Sequence, residues 1–161
     1  MMKTLNQLID EYTYHLQHGE IQTAYRGILE FIGKLRADII RKYPHYEIGS
    51  LYQGYMDMTY FSLSTKLLKD KGLKFAIVYL HPKGAFEVWL SARNRDIAKR
   101  YESILNNNIS DNITVFHDDN NQDAIVERTL TSAPNFEEQA SLIETIEQGV
   151  EKFIIDINGL L

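Results

Sequence analysis

The residues best suited to chemistry lie in the segment 49–61, GSLYQGYMDMTYF. It has the composition of a β-strand, and the two-residue period of a strand places every second side chain on the same face. One face of this predicted strand is apolar. The other carries Gln53, Tyr55, Asp57 and Thr59. These side chains can stack on a ligand and exchange hydrogen bonds with it, so we expect this face to bind something.

A later segment, 85–92, AFEVWLSA, predicts another strand with one polar face, which contains Glu87 and Trp89 and is continued by Arg93. If the polar faces of the two strands point the same way, they form one surface, beneath Tyr25 and Arg26 of a preceding helix. Aromatic walls with carboxylates and guanidiniums suit a small polar ligand or a protein partner. The predicted ligand-binding residues are Tyr25, Arg26, Gln53, Tyr55, Asp57, Glu87, Trp89 and Arg93.

Two other interpretations of the same residues stay open. Asp57 with Arg93, and Glu87 with Arg26, could simply pair and neutralise each other in a partly buried layer. The aromatic face could also form the interface of a homodimer, because aromatic side chains are enriched in interface cores.

The sequence assigns no catalytic residue. The predicted order α-β-β-β-α-β resembles the core of the restriction-endonuclease-like fold, whose nucleases hold magnesium with an acidic residue on one strand and a Glu-x-Lys motif on the next. Asp57 and Glu87 would supply the carboxylates, but Trp89 occupies the lysine position. A degenerate, inactive domain of this type is therefore a second alternative.

No cofactor and no metal is expected. The chain lacks cysteine, which excludes disulfides and thiolate metal sites. His15 and His18 lie three residues apart without a third ligand nearby in the sequence. The acidic loop 118–123, DDNNQD, has Ala124 where a calcium loop needs glycine. Phosphate-binding and dinucleotide-binding glycine motifs are also absent.

The charge of the chain is unevenly distributed. Residues 66–100 hold nine Lys/Arg against three Asp/Glu, whereas residues 101–161 hold two against twelve. Because the acidic part is expected to fold back near the basic part and to cancel much of its field, we expect no nucleic-acid partner. No signal peptide or membrane span is recognisable, so we expect a cytoplasmic protein without membrane contact.

The periodicity of the 161 residues predicts one α+β domain, 1–161. Its elements follow the order α-α-β-β-β-α-β-β-α, with a five-stranded, mainly antiparallel or mixed sheet packed with helices. Thr4 and Gly19 are expected to bound the first helix. Gly27 and Gly33 each weaken the second helix relative to alanine, and close packing of another backbone would explain them.

Three segments, AYRGILEF, GSLYQGYMDMTYF and FEVWLSARN, together resemble a family of small bacterial proteins known only as a domain of unknown function. The resemblance spans nearly the whole chain. It implies a bacterial, cytoplasmic setting and no particular chemistry. The leading hypothesis is thus an uncharacterised binding module that uses its polar-aromatic sheet face.

Overall fold

The computed structural model describes residues 2–106, 114–115 and 124–161. The elements in chain order are α1 Leu5–His18, α2 Glu20–Lys42, β1 Glu47–Ile48, β2 Met58–Ser64, α3 Lys66–Asp70, β3 Leu73–Leu80, β4 Ala85–Ala92, α4 Arg95–Asn106, β5 Thr114–Val115, β6 Ala124–Thr131 and α5 Gln139–Asn158.

The predicted α+β class and the predicted order of helices and strands are confirmed. Two short elements join them, the two-residue strand β1 and the single turn of helix α3. The described strands form one antiparallel sheet in the order β1-β2-β3-β4-β6-β5. The prediction of a mainly antiparallel sheet is therefore confirmed, with β1 as an additional edge.

Helices α2 and α5 bury their apolar stripes against one side of the sheet, which we call the helix-covered face. Phe31 of α2 packs edge-on against Phe86 of β4, with ring centroids 5.7 Å apart. Phe153 of α5 packs in the same way on Phe75 of β3 at 5.8 Å. All four rings are completely or almost completely buried. Burying side chains of this size stabilises a fold by about 1.5–3 kcal/mol each, so this layer fixes the helices on the sheet.

A polar cluster ties α2 to α5 beside this apolar layer. Lys42 Nζ lies 3.0 Å from Glu147 Oε1 and 3.0 Å from Asp38 Oδ2. A hydrogen bond from Glu147 lowers the pKa of Asp38 to about 2, whereas burial raises the pKa of Glu147. The cluster thus links the two helices.

The predicted first strand over 49–61 is wrong in its first half. β2 begins only at Met58, and Tyr52 pairs back with Tyr60 as an isolated bridge. Between them the chain forms a loop, because Gly54 and Met56 adopt positive φ angles of 78° and 66°. This left-handed backbone breaks the extended geometry on which the two-residue alternation depends.

Helix α1 stands apart from the core. Thr4 forms a capping box with Gln7, and Gly19 ends the helix in the left-handed conformation at φ 77°, as predicted. No residue of α1 is buried. Its apolar stripe therefore faces solvent in the described part of the chain.

The explanation of Gly27 and Gly33 by close packing is wrong, because a Cβ atom built on either residue meets nothing within 4 Å. Alanine loses less conformational entropy in a helix than glycine. We expect Gly27→Ala and Gly33→Ala each to raise the free energy of unfolding by about 0.5–1 kcal/mol, measured by urea denaturation.

The matched control is Gly19→Ala, which forces an L side chain into the left-handed region and should lower the free energy of unfolding by about 1–2 kcal/mol. If Gly27→Ala or Gly33→Ala destabilised the protein, the open surroundings described for α2 would be incorrect.

Candidate functional site

Pairing through the central strand β3 decides which side chains share a face of the sheet. Thr59 of β2 lies opposite Tyr79 of β3, and Tyr79 lies opposite Phe86 of β4. Directly paired residues point to the same face. Thr59 therefore points to the helix-covered face together with Phe86.

The other set of residues on these strands forms what we call the second face. Ser62 of β2 lies opposite Ala76 of β3, which lies opposite Trp89 of β4. Even-numbered residues of β2 thus share a face with odd-numbered residues of β4. The prediction that Thr59 and Trp89 project into a common surface is wrong. In the hydrogen-bonded register, odd-numbered residues of β2 and odd-numbered residues of β4 point to opposite faces of the sheet.

The eight predicted site residues consequently separate. Trp89 and Arg93 line a pocket on the second face. Glu87 points to the same face, but it is buried and accepts a hydrogen bond from Trp89 Nε1 at 2.9 Å. The remaining five residues, Tyr25, Arg26, Gln53, Tyr55 and Asp57, lie on α2 or in the 53–57 loop and do not line this pocket.

Asp57 stabilises its own loop. Its Oδ1 accepts a hydrogen bond from the Tyr55 backbone N–H at 2.9 Å, and backbone donors at Tyr55 and Met58 lower the pKa of its carboxyl group. Tyr55 itself is 90% exposed. The carboxylate thus acts as a turn-stabilising acceptor, the usual role of aspartate in such loops.

His81, which is not among the predicted site residues, anchors this loop to the sheet. His81 Nε2 lies 2.9 Å from Thr59 Oγ1, and Thr59 Oγ1 donates to the Gln53 carbonyl at 2.7 Å. Nε2 must therefore carry the proton and act as the donor. Tyr25 stacks on the His81 ring at 5.4 Å, and burial lowers the pKa of His81 while Asp57 opposes that shift. Because the buried threonine hydroxyl already donates, this group has no activated nucleophile.

The carboxylates proposed for a nuclease-like site serve other partners. Asp57 accepts from its loop, and Glu87 accepts from Trp89 with Lys83 Nζ 3.7 Å away. Among the described residues no group of three His, Asp or Glu side chains could hold a metal ion. His18 Nδ1 instead lies 2.8 Å from the Tyr14 carbonyl oxygen. The acidic loop 118–123 lies outside the described residues.

The second-face pocket has a volume of about 700 Å³. Its floor is a row of small side chains across neighbouring strands, because Ser62 of β2 is paired with Ala76 of β3. Next to this row, Lys74 is paired with Ser91. Trp89 bounds one side of the floor, and Met58 and Tyr60 bound one end. The volume falls within the range of small-molecule sites in proteins.

Cationic side chains surround the opposite end of the pocket. Lys69, Lys74 and Arg93 all line it. Lys69 is paired with Glu47, whereas Lys74 and Arg93 have no ion pair within the described part of the chain. The backbone brings Arg93 into position, because its N–H donates to the Gly72 carbonyl at 2.8 Å. Among the described residues, this end therefore presents two positive charges without an ion pair.

The chain belongs to the family described as domain of unknown function DUF7000. The family model matches residues 5–161. The prediction of an uncharacterised domain-of-unknown-function family is confirmed, whereas the three motifs as its signature stay a prediction. Its bacterial and cytoplasmic setting stays a prediction. No curated protein and no solved structure matches the chain.

None of the helices in the described ranges is long and apolar enough to span a bilayer.

The loop-stabilising role of Asp57 can be tested through the pH dependence of stability. Its carboxyl pKa is lower in the fold than in the unfolded chain. The stabilisation is therefore present above pH ~4 and is lost as the pH falls through the lower, folded pKa. We expect Asp57→Asn to lower the free energy of unfolding at pH 7 by up to about 1 kcal/mol, and by less at pH 3, in urea titrations.

Asp10→Asn on the exposed helix α1 is the control for removing a surface carboxylate. An Asp57→Asn variant as stable as the unsubstituted protein at pH 7, or a deficit that grows on acidification, would contradict this role.

Proposed function

We propose that the protein is a binding module that holds a small molecule in the second-face pocket. Trp89 and Arg93 are the two originally predicted residues that belong to the proposed site. The observation that carries the proposal is the row of small side chains, Ser62 and Ala76, beside a large one, Trp89. A sheet face built this way leaves concave space that its own side chains do not fill.

The wall of the proposed site is held rigidly. Glu87 and Trp89 lie two residues apart on β4 and therefore point to the same face. The hydrogen bond from Trp89 Nε1 to Glu87 Oε1 fixes the indole orientation, and Trp89 is only 6% exposed. A fixed aromatic wall requires little ordering when a ligand binds, which favours affinity. In this proposal Glu87 is a positioning residue.

Filling the pocket tests the proposal. Ser62→Leu adds an apolar side chain to the floor, at a position that is only partly buried. Because the serine side chain lies against Gly49, circular dichroism first establishes that the variant is folded. A library of small metabolites is screened by thermal shift against the full chain. We expect a subset of compounds to raise Tm, and we expect Ser62→Leu to abolish those shifts.

Thr129→Leu is the matched control, because Thr129 is an exposed strand residue opposite Glu87 and lies outside the pocket. It should retain every ligand-induced shift. If no compound stabilises the protein, or if Ser62→Leu responds like Thr129→Leu, the pocket is not a binding site.

A homodimer is the second candidate, and α1 rather than the sheet supports it. Trp89 is only 6% exposed, too little to form the core of an interface between two copies, whereas Leu5 and Tyr12 of α1 are 71% and 60% exposed. Leu8 and Ile9 complete the exposed stripe. A helix of 14 residues is marginal in water without packing, so a second copy of α1 would stabilise it.

Antiparallel pairing of two α1 helices aligns their dipoles favourably. Lys3, just before the helix, pairs with Glu11 of its own chain and is therefore not counted in the contact between copies.

Light scattering coupled to size-exclusion chromatography tests this candidate. We expect the unsubstituted chain to be dimeric at micromolar concentration and Leu8→Glu, which places a charge in the stripe, to be monomeric. Gln17→Glu adds the same charge on another side of α1 and should remain dimeric. A monomeric unsubstituted chain, or a dimer that tolerates Leu8→Glu, would exclude the α1 interface.

A further inference from the structure

We infer that the ligand of the second-face pocket is a phosphate monoester with an apolar, ring-bearing body. This inference rests on the proposed function and specifies the chemistry of its ligand. It follows from the order in which polar and apolar rows cross the second face and from the charge at one end.

The rows of paired residues change character along the strands. At one end Lys74 is paired with Ser91, and Arg93 extends β4 beyond this pair. The next row, with Ser62 and Ala76, consists of small, uncharged side chains. At the far end Tyr60 and Met58 line the pocket. The pocket is thus cationic at one end and apolar at the other.

The charge at the cationic end favours a dianion. Lys69 is compensated by Glu47, and Lys74 and Arg93 make no ion pair in the described ranges. A phosphate monoester carries about −1.5 to −2 charges at pH 7 and three acceptor oxygens, whereas a carboxylate carries one charge and two oxygens. The two positive charges, next to the Ser91 hydroxyl, match the charge and the oxygen atoms of a phosphate monoester better than those of a carboxylate. Arginine also binds phosphate oxygens in a bidentate manner.

The surroundings of this end increase the attraction for anions. Lys66 begins α3, Lys71 follows it and Arg95 begins α4. Asp70 and Asp96 lie in the same segments and offset part of this charge, so that a net positive charge remains. The backbone hydrogen bond between Arg93 and Gly72 brings these two basic segments side by side. Clustered charge of one sign around a cleft raises the local concentration of ligands of opposite charge.

A matched set of four probes separates the two parts of the inference. Benzyl phosphate carries both the dianion and the ring, phenylacetate a single negative charge and the ring, benzyl alcohol the ring alone, and inorganic phosphate the anion alone. Trp89 is the single tryptophan of the chain and lines the pocket, so its fluorescence reports binding directly. Titration calorimetry at constant ionic strength provides an independent measurement.

We expect benzyl phosphate to bind most tightly, about tenfold or more better than phenylacetate or inorganic phosphate, with benzyl alcohol weakest. Lys74→Gln and Arg93→Gln should each lower the affinity for benzyl phosphate by about tenfold and leave the affinity for benzyl alcohol unchanged. Lys99→Gln, an exposed lysine on α4 outside the pocket, should change nothing.

Equal binding of benzyl alcohol and benzyl phosphate would overturn the assigned ligand class and leave the pocket as a binding site. Inorganic phosphate binding as tightly as benzyl phosphate would overturn the ring-bearing body. Phenylacetate binding as tightly as benzyl phosphate would overturn the dianion. Absence of binding by all four probes overturns the inference, and the Ser62→Leu screen then decides whether the pocket binds any small molecule.

Discussion

The hydrogen-bonded register of β3 with its two neighbours is the constraint on which the rest of the structure depends. β3 is paired along its length with β2 on one side and β4 on the other. A shift of one residue in either pairing would turn every side chain of that neighbour to the opposite face. The register therefore determines which side chains the helices cover and which ones line the second-face pocket.

Burial fixes this register. Phe61, Ile77 and Val88 form one continuous row on the helix-covered face, and all three are buried. A slip of β4, for example, would put Glu87 or Trp89 in place of Val88 in this layer, at a cost of about 1.5–3 kcal/mol for each large side chain that loses its burial. The second face carries a smaller apolar cluster of its own, Ala76, Val78 and Trp89, and the pocket lies beside it. The core and the proposed site are specified by the same pairing.

Local periodicity was sufficient to predict the helices, the later strands and the α+β class, because these depend on residues near each other in the chain. It failed where backbone conformation broke the period, as at Gly54 and Met56. Gly54 is a residue for which positive φ is common, and it could have warned against a continuous strand. Met56 gives no such signal, because methionine rarely adopts positive φ.

The site was only partly predictable for a different reason. The chemistry of Trp89 and Arg93 marks them as candidates in the sequence alone. Ser62 and Ala76 contribute by being small, and a small side chain indicates a pocket only once the residues paired with it are known. Sequence separation cannot reveal that these residues form one row with Trp89, since two turns of different length intervene. His81 was missed because its partner, Thr59, lies on another strand. Pairing between strands is thus the information that the sequence pattern lacked.

The row formed by Ser62, Ala76 and Trp89 is most directly tested by the distance between residue 62 and the Trp89 indole. The chain has no native cysteine, so Ser62→Cys introduces a unique thiol that can be labelled with a nitroxide in the folded protein. Thr13→Cys on the exposed helix α1 is the labelled control. The account predicts that the nitroxide at position 62 quenches Trp89 fluorescence strongly and the one at position 13 does not. Equal fluorescence of both labelled proteins would contradict the register and, with it, the pocket.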